Sequence, residues 1–179
     1  SWLEFETDPS GFIGVKIDRK RRVPATTLLR AFGVDSDDKI KSQFFDIDKG
    51  EINYISETLK RDTTNNQADA LVEIYKRLTP GDLASPDTAK ELIENMFFNF
   101  ERYDLSKVGR WKTLERLPEL KLKNRKAKTG EEITMDDRVL RVEDIVAVIR
   151  EIIHLNNTPG SEADEIDHLG NRRVRAISE

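Results

Sequence analysis

Cysteine is absent from this 179-residue chain, which removes disulfides, thiolate nucleophiles and cysteine-ligated zinc or iron–sulfur centres together. Histidine is nearly absent: His154 and His168 are the only two, too few for a histidine-built metal site. No run of about eighteen apolar residues occurs and no signal-peptide pattern opens the chain, so the expectation is a soluble, cytoplasmic protein without a membrane association. There is no P-loop, no G-x-S-x-G and no H-E-x-x-H, and no repeat at periods of 20 to 50 residues. Carboxylates are plentiful, yet no pair is marked out by an apolar pocket as a general acid and base would be. These absences favour a binding or structural module over a self-contained enzyme. Residue 1 is serine, compatible with processing or with a piece of a longer polypeptide.

What is present is charge. Charged residues make up 36% of the sequence against 37% hydrophobic, well above the usual share of about a quarter. This predicts a real core beneath a heavily solvated surface of mixed sign, of a kind that suits a large partner. The net charge is only −4. Any contact with nucleic acid must therefore come from local patches rather than from the overall field.

Along the chain, "SWLEFETD" and "FIGVKID" flank the turn-forming Asp8-Pro9-Ser10-Gly11 and predict a hairpin over residues 1–18. "RKRR" at 19–22 follows as a basic ridge. "ATTLLRAFG" then reads as a short helix stopped by Gly33, and "DDKIKSQFF" as a second, with Asp35, Ser36 or Asp37 as cap. "DIDKGEINY" reads as a connection. "NNQADALVEIYKRLTPG" predicts an amphipathic helix with Ala68, Leu71, Val72, Tyr75 and Leu78 on one face. "SPDTAKELIENMFF" predicts another, with Ser85 as N-cap and Pro86 at its first position. "DLSKVGRWKTLERL" is a helix interrupted by Gly109, and 118–141 an exposed loop or small hairpin around Thr129-Gly130. "VEDIVAVIREIIHLNN" is the last helix, apolar at Ile145, Val148, Ile149, Ile152 and Ile153. The fold class is α+β: a mostly helical domain with a small antiparallel sheet or hairpin near the N-terminus, divided into the hairpin (1–18), a helical body (19–165) and a basic exit segment (166–179).

Two stretches invite a chemical reading. "DIDKGEINYISE" places Asp46, Asp48 and Glu57 at positions 1, 3 and 12 of a calcium loop, but Gly50 falls at position 5 where the sharp turn needs position 6, so a solvated connection is the better reading. The basic clusters are 18–22, with Asp18, Arg19, Arg21 and Arg22, and 171–175, with Arg172, Arg173 and Arg175. Each could be solvated surface or a phosphate contact. Asp167 could be an internal ion-pair partner of Arg172. Alternatively, its carboxylate could accept from the two adjacent donors on the Watson–Crick edge of an unpaired guanine while arginine holds the acceptors. Trp2 could be hydrophobic packing or a stacking platform for a base.

Four long blocks carry a family resemblance. "SWLEFETDPSGFIGVKIDRKRRVPATTLLRAFG", "YISETLKRDTTNNQADALVEIYKRLTPGD", "ENMFFNFERYDLSKVGRWK" and "DEIDHLGNRRVRAISE" resemble consecutive blocks of the beta subunit of bacterial DNA-directed RNA polymerase, in the family's order. Within that subunit they resemble the lobe domain, which borders the DNA cleft and begins and ends inside a longer chain. The resemblance implies that Trp2, Asp18, Asp167 and Arg172 help bind the non-template strand near the downstream edge of the bubble, Trp2 by stacking and Asp167 with Arg172 by lining a pocket for an extruded guanine. Arg19, Arg21, Arg22, Arg173 and Arg175 would add positive charge toward the DNA. It implies as partners the rest of beta, beta-prime, alpha, omega, sigma and transcription factors, and a nucleotidyltransferase whose magnesium is held by an aspartate triad on beta-prime, with no cofactor in this segment and no catalysis by it alone. The competing expectation is a docking platform for sigma or transcription factors whose arginines serve interdomain salt bridges. An independent small enzyme is the third.

Overall fold

The computed structural model describes residues 1–117, 120 and 133–160. Its sheet has three antiparallel strands in the order β1 (Leu3–Thr7), β2 (Ile13–Ile17) and β3 (Val23–Pro24). The first pairing follows from the turn at 8–11. The Gly11 N–H donates to the Asp8 carbonyl at 3.0 Å and the Asp8 N–H to the Phe12 carbonyl at 3.1 Å. The Asp8 carboxylate accepts from the Ser10 N–H at 3.0 Å and also from its hydroxyl. Gly11 has φ +91°, and an added Cβ would lie 2.4 Å from Ile52 Cγ2, so a side chain there meets both backbone strain and a neighbour. The resulting register sets Leu3 opposite Ile17, Phe5 opposite Val15 and Thr7 opposite Ile13.

Seven helices follow among the described residues: α1 (Ala25–Ala31), α2 (Asp37–Ser42), α3 (Tyr54–Arg61), α4 (Gln67–Leu78), α5 (Pro86–Phe97), α6 (Ser106–Arg116) and α7 (Val142–Asn157). Side-chain caps start four of them: Ser36 accepts from the Lys39 N–H, Asn53 from Ser56, Asn66 from Asp69 and Ser85 from Thr88. Each satisfies one of the orphan donors at a helix start. At α7 the Asp144 carboxylate reaches back to the Arg141 N–H at 2.9 Å. Gly33, at φ +103°, follows α1.

β2 is almost wholly buried, with α1 and α3 packed on it, and α1 in turn packs on α4 and α7. Ile13, Leu28, Leu29, Ile40, Ile74, Phe97, Ile149 and Ile153 form the least exposed part of one continuous core. Phe32 meets Phe98 edge-on at 4.8 Å between ring centroids, and Phe97 meets Tyr103 at 6.0 Å.

Several expectations need correction. The buried face of α4 is Ala70, Leu71 and Ile74, with Tyr75 and Leu78 partly buried, whereas Ala68 is exposed. α6 runs through Gly109 without a break. Gly109 holds ordinary helical backbone, and an added Cβ there would meet Leu105 Cγ at 3.2 Å, so the close packing suits a glycine. α3 and β3 were not expected. Of the 118–141 stretch, residues 120 and 133–141 are described, and 133–141 is no simple exposed loop, since Ile133 is buried and the segment is hydrogen-bonded to α5 and to the start of α6 through Leu140 N–H to Phe97 carbonyl and Leu105 N–H to Arg138 carbonyl.

Candidate nucleic-acid interface

The antiparallel register places Trp2, one residue before β1, opposite Asp18, one residue after β2. The two close the open end of the hairpin. The Trp2 N–H donates to Asp18 Oδ1 at 2.7 Å and the Asp18 N–H to the Trp2 carbonyl at 3.1 Å. Asp18 and Arg19 then take consecutive left-handed conformations, φ 49° and 61°, which reverses the chain, and the Lys20 N–H closes the turn on the Ile17 carbonyl at 2.9 Å. This reversal folds Arg19 back over the indole, with its guanidinium carbon 4.7 Å from the ring centroid of Trp2. Asp18, Arg19, Lys20 and Arg21 are exposed and Trp2 is partly so.

The basic run divides at its end. Arg22 lies back along the sheet, its guanidinium 5.1 Å from the Phe12 ring and 3.8 Å from both Glu6 and Asp8. Arg61, from α3, approaches the same ring at 5.0 Å and pairs with Asp8 at 3.1 Å. The Ser10 hydroxyl, more than any other group, holds the Asp8 carboxyl below its usual range, so it remains an anion between two guanidiniums. On β2, Lys16 donates to Glu6 at 2.5 Å, and that hydrogen bond holds its ammonium above the ordinary value. Arg61 was not singled out from the sequence. No local pattern marks it, because its partner Asp8 lies fifty-three positions away.

The remaining expected site residues, Asp167, Arg172, Arg173 and Arg175, lie outside the described residues. Trp2, Asp18 and Arg19 are brought together; Arg21 stands beside them in the chain and Arg22 is turned toward Phe12. Among the described residues no group of three or more His, Asp or Glu is placed to hold a metal ion. The calcium-loop acids serve other ends: Asp48 accepts from the Tyr54 and Ile55 N–H groups at 3.0 and 2.9 Å, and Asp46 receives both arms of Arg150 at 2.7 Å.

Residues 1–175 match the family described as RNA polymerase Rpb2, domain 2. The chain belongs to this family. Two relatives of the Rpb2 domain 2 chain are the DNA-directed RNA polymerase subunit beta of Dehalococcoides mccartyi (strain CBDB1), 45% identical over 181 residues, and that of Syntrophomonas wolfei subsp. wolfei, 40% identical over 179. All of the chain is covered in both comparisons, but only 13% of the first relative and 14% of the second. The Rpb2 domain 2 chain therefore spans about one eighth of the subunits it matches. No helix among its described residues is long and apolar enough to cross a membrane.

Proposed function

We propose that the chain is the lobe of a bacterial RNA polymerase beta subunit, bordering the DNA cleft and contacting downstream and non-template-strand DNA in the cytoplasm. Nucleotidyl transfer, with its magnesium, belongs to the assembled enzyme of beta, beta-prime, alpha, omega and sigma, and this domain is inert alone. The observation that carries the reading is the corner where the hairpin register joins Trp2 to Asp18 and the following turn lays Arg19 on the indole. A partly exposed aromatic ring beside a cluster of cations suits single-stranded nucleic acid, offering stacking area for a base and positive charge for the phosphate. In this reading Asp167 and Arg172 complete the site by reading an extruded guanine, and Arg21, Arg22, Arg173 and Arg175 supply field.

The test is open-complex lifetime in a reassembled polymerase, on templates differing in a single non-template base. Asp167→Ala shortens the lifetime selectively on the guanine template, and Trp2→Ala shortens it with less dependence on guanine, each by about 1–3 kcal/mol or less. Equal shortening on all four templates by Asp167→Ala makes Asp167 a structural ion-pair partner and removes the guanine pocket.

A second reading, a docking platform for sigma or a transcription factor, is favoured by one observation. Phe100, Val108, Trp111 and Met135 are large apolar residues at least two-fifths exposed, contributed by the α5–α6 connection, α6 and the 133–141 segment. Under this reading Trp111→Ser weakens factor binding and leaves the open-complex lifetimes unchanged.

A further inference from the structure

We infer that Arg22 is a positioning residue whose seat on the sheet holds Lys20 and Arg21 out as phosphate contacts; the inference rests on the DNA-contacting reading above. It begins at Gly14, which is buried in β2 in ordinary strand backbone, so no left-handed conformation calls for glycine there. Space does: a Cβ at Gly14 would lie 3.0 Å from Arg22 Cδ and 3.0 Å from Phe12 Cε1. The missing side chain is the notch through which the Arg22 stem crosses β2 and sets its guanidinium 5.1 Å from the Phe12 ring. There the charge of Arg22 is balanced by Glu6 and Asp8, each at 3.8 Å. Lys20 and Arg21 are exposed, and their side chains make no hydrogen bond, ion pair or ring contact among the described residues. Within the basic run these two can neutralise a phosphate without giving up a contact.

The backbone holds the end of the run loosely. β3 pairs through Gly14 with Pro24 and Val15 with Val23 alone, and proline has no N–H to add to the ladder. The Arg22 side chain on Phe12 is thus a second anchor where the run ends, as the Asp18 carboxylate on the Trp2 N–H is where it starts. Two fixed ends restrict the residues between them, which lowers the ordering cost when a strand binds.

The experiment uses the 179-residue chain and an end-labelled oligothymidine, with affinity read by anisotropy over a range of salt concentrations and folding by melting temperature. Lys20→Gln is expected to make the slope of log affinity against log salt shallower by about 0.7, the loss of one phosphate on a single strand. Arg22→Gln should weaken binding by about two- to fivefold, the equilibrium factor of one exposed cation–π contact, and leave the slope unchanged, because the strand keeps the same phosphates at a higher ordering cost. Gly14→Ala, which alters no charge, should do the same where its melting curve shows it folded; where it does not fold, Arg22→Gln decides alone. A slope shallower by about 0.7 for Arg22→Gln makes Arg22 itself a phosphate contact, and an unaltered affinity makes it a cover for Phe12 and nothing more. Either result overturns the positioning role while leaving the DNA-contacting reading in place. If Lys20→Gln combined with Arg21→Gly leaves both affinity and slope unaltered, the DNA-contacting reading itself fails at this corner, and the inference with it.

Discussion

Arg110 shows at the scale of one residue what a charge-rich sequence conceals. Its side chain is fully buried, and its donors go to the Asp144 carboxylate, at 3.0 Å for one arm, and to the carbonyls of Asp137 and Val139 at 2.5 and 2.7 Å. The guanidinium thereby fastens the 133–141 segment to α7. Replacing one member of such a pair strands the other as a buried charge, at about 3–5 kcal/mol, whereas replacing both with apolar residues costs much less. Arg110→Met should therefore lower the urea-unfolding free energy by about that amount, and Arg110→Met with Asp144→Leu should recover a large part of it. A single-variant loss below about 1 kcal/mol would falsify the clamp. Tyr103 gives a second test. Burial, more than its neighbouring charges, pushes its phenol from 10.0 up to about 12. Between those values the unfolded chain releases the proton and the folded chain keeps it, so folding stability falls as pH rises through that window and levels off above it. Melting temperatures across the window should drop less steeply for Tyr103→Phe than for the unaltered chain; parallel curves would place the phenol in contact with water.

Elements were legible where punctuation was local. Ser36 and Ser85 announce α2 and α5 because a cap acts on N–H groups two or three residues away, and Pro9-Ser10-Gly11 announces the hairpin for the same reason. α3 was missed although Asn53 caps it locally at the Ser56 N–H, because the acids before it read as a solvated connection; Asp48, 8% exposed and six positions ahead of the helix, also accepts from its first two N–H groups. Read locally, the acids of "DIDKGEINY" suggest solvent or a cation; in the fold Asp48 caps the start of α3 and Asp46 anchors Arg150. β3 was missed because two residues carry no period, and its pairing, Gly14 with Pro24 and Val15 with Val23, is visible only once β2 is in place. Asp48→Ala should thus destabilise the chain by about 1–2 kcal/mol, the range of a lost helix cap, in urea titrations. Millimolar calcium should leave the melting temperature of the unaltered chain where it was. A calcium-dependent rise that Asp48→Ala abolishes would restore the cation-loop reading and discard the cap.

Across the molecule, a few of the charged side chains are internal mortar. Arg30, Arg110 and Arg150 are each at most 5% exposed. Each closes a long-range tie: Arg30 from α1 to Asp62 and the Asn65 carbonyl, Arg110 from α6 to α7, and Arg150 from α7 to Asp46 and the Gln43 carbonyl. Sequence counts such cations as surface; burial withdraws them from any field felt by a partner. In the proposed DNA-contacting reading, the cations left to meet the strand are the small corner of Arg19, Lys20 and Arg21 with the neighbouring Arg22, set against a net charge of −4 for the chain. The pairing of Trp2 with Asp18 could be read from the hairpin register alone, but the stacking of Arg19 could not, because it depends on two successive left-handed residues that no glycine announces. A corner of this size neutralises few phosphates. Single-stranded DNA should bind the isolated chain weakly, and the logarithm of the affinity should fall linearly with the logarithm of the salt concentration at a slope of roughly −2 to −3, the value for about three or four phosphates on a single strand. Arg21→Gly should make that slope shallower by about 0.7, since one phosphate contact is lost, while Arg110→Met, assayed where it is folded, should not alter the slope at all. Tight binding that ignores salt would mean that the affinity comes from an apolar surface, and the α6 patch around Trp111 would then replace the hairpin corner as the site of contact.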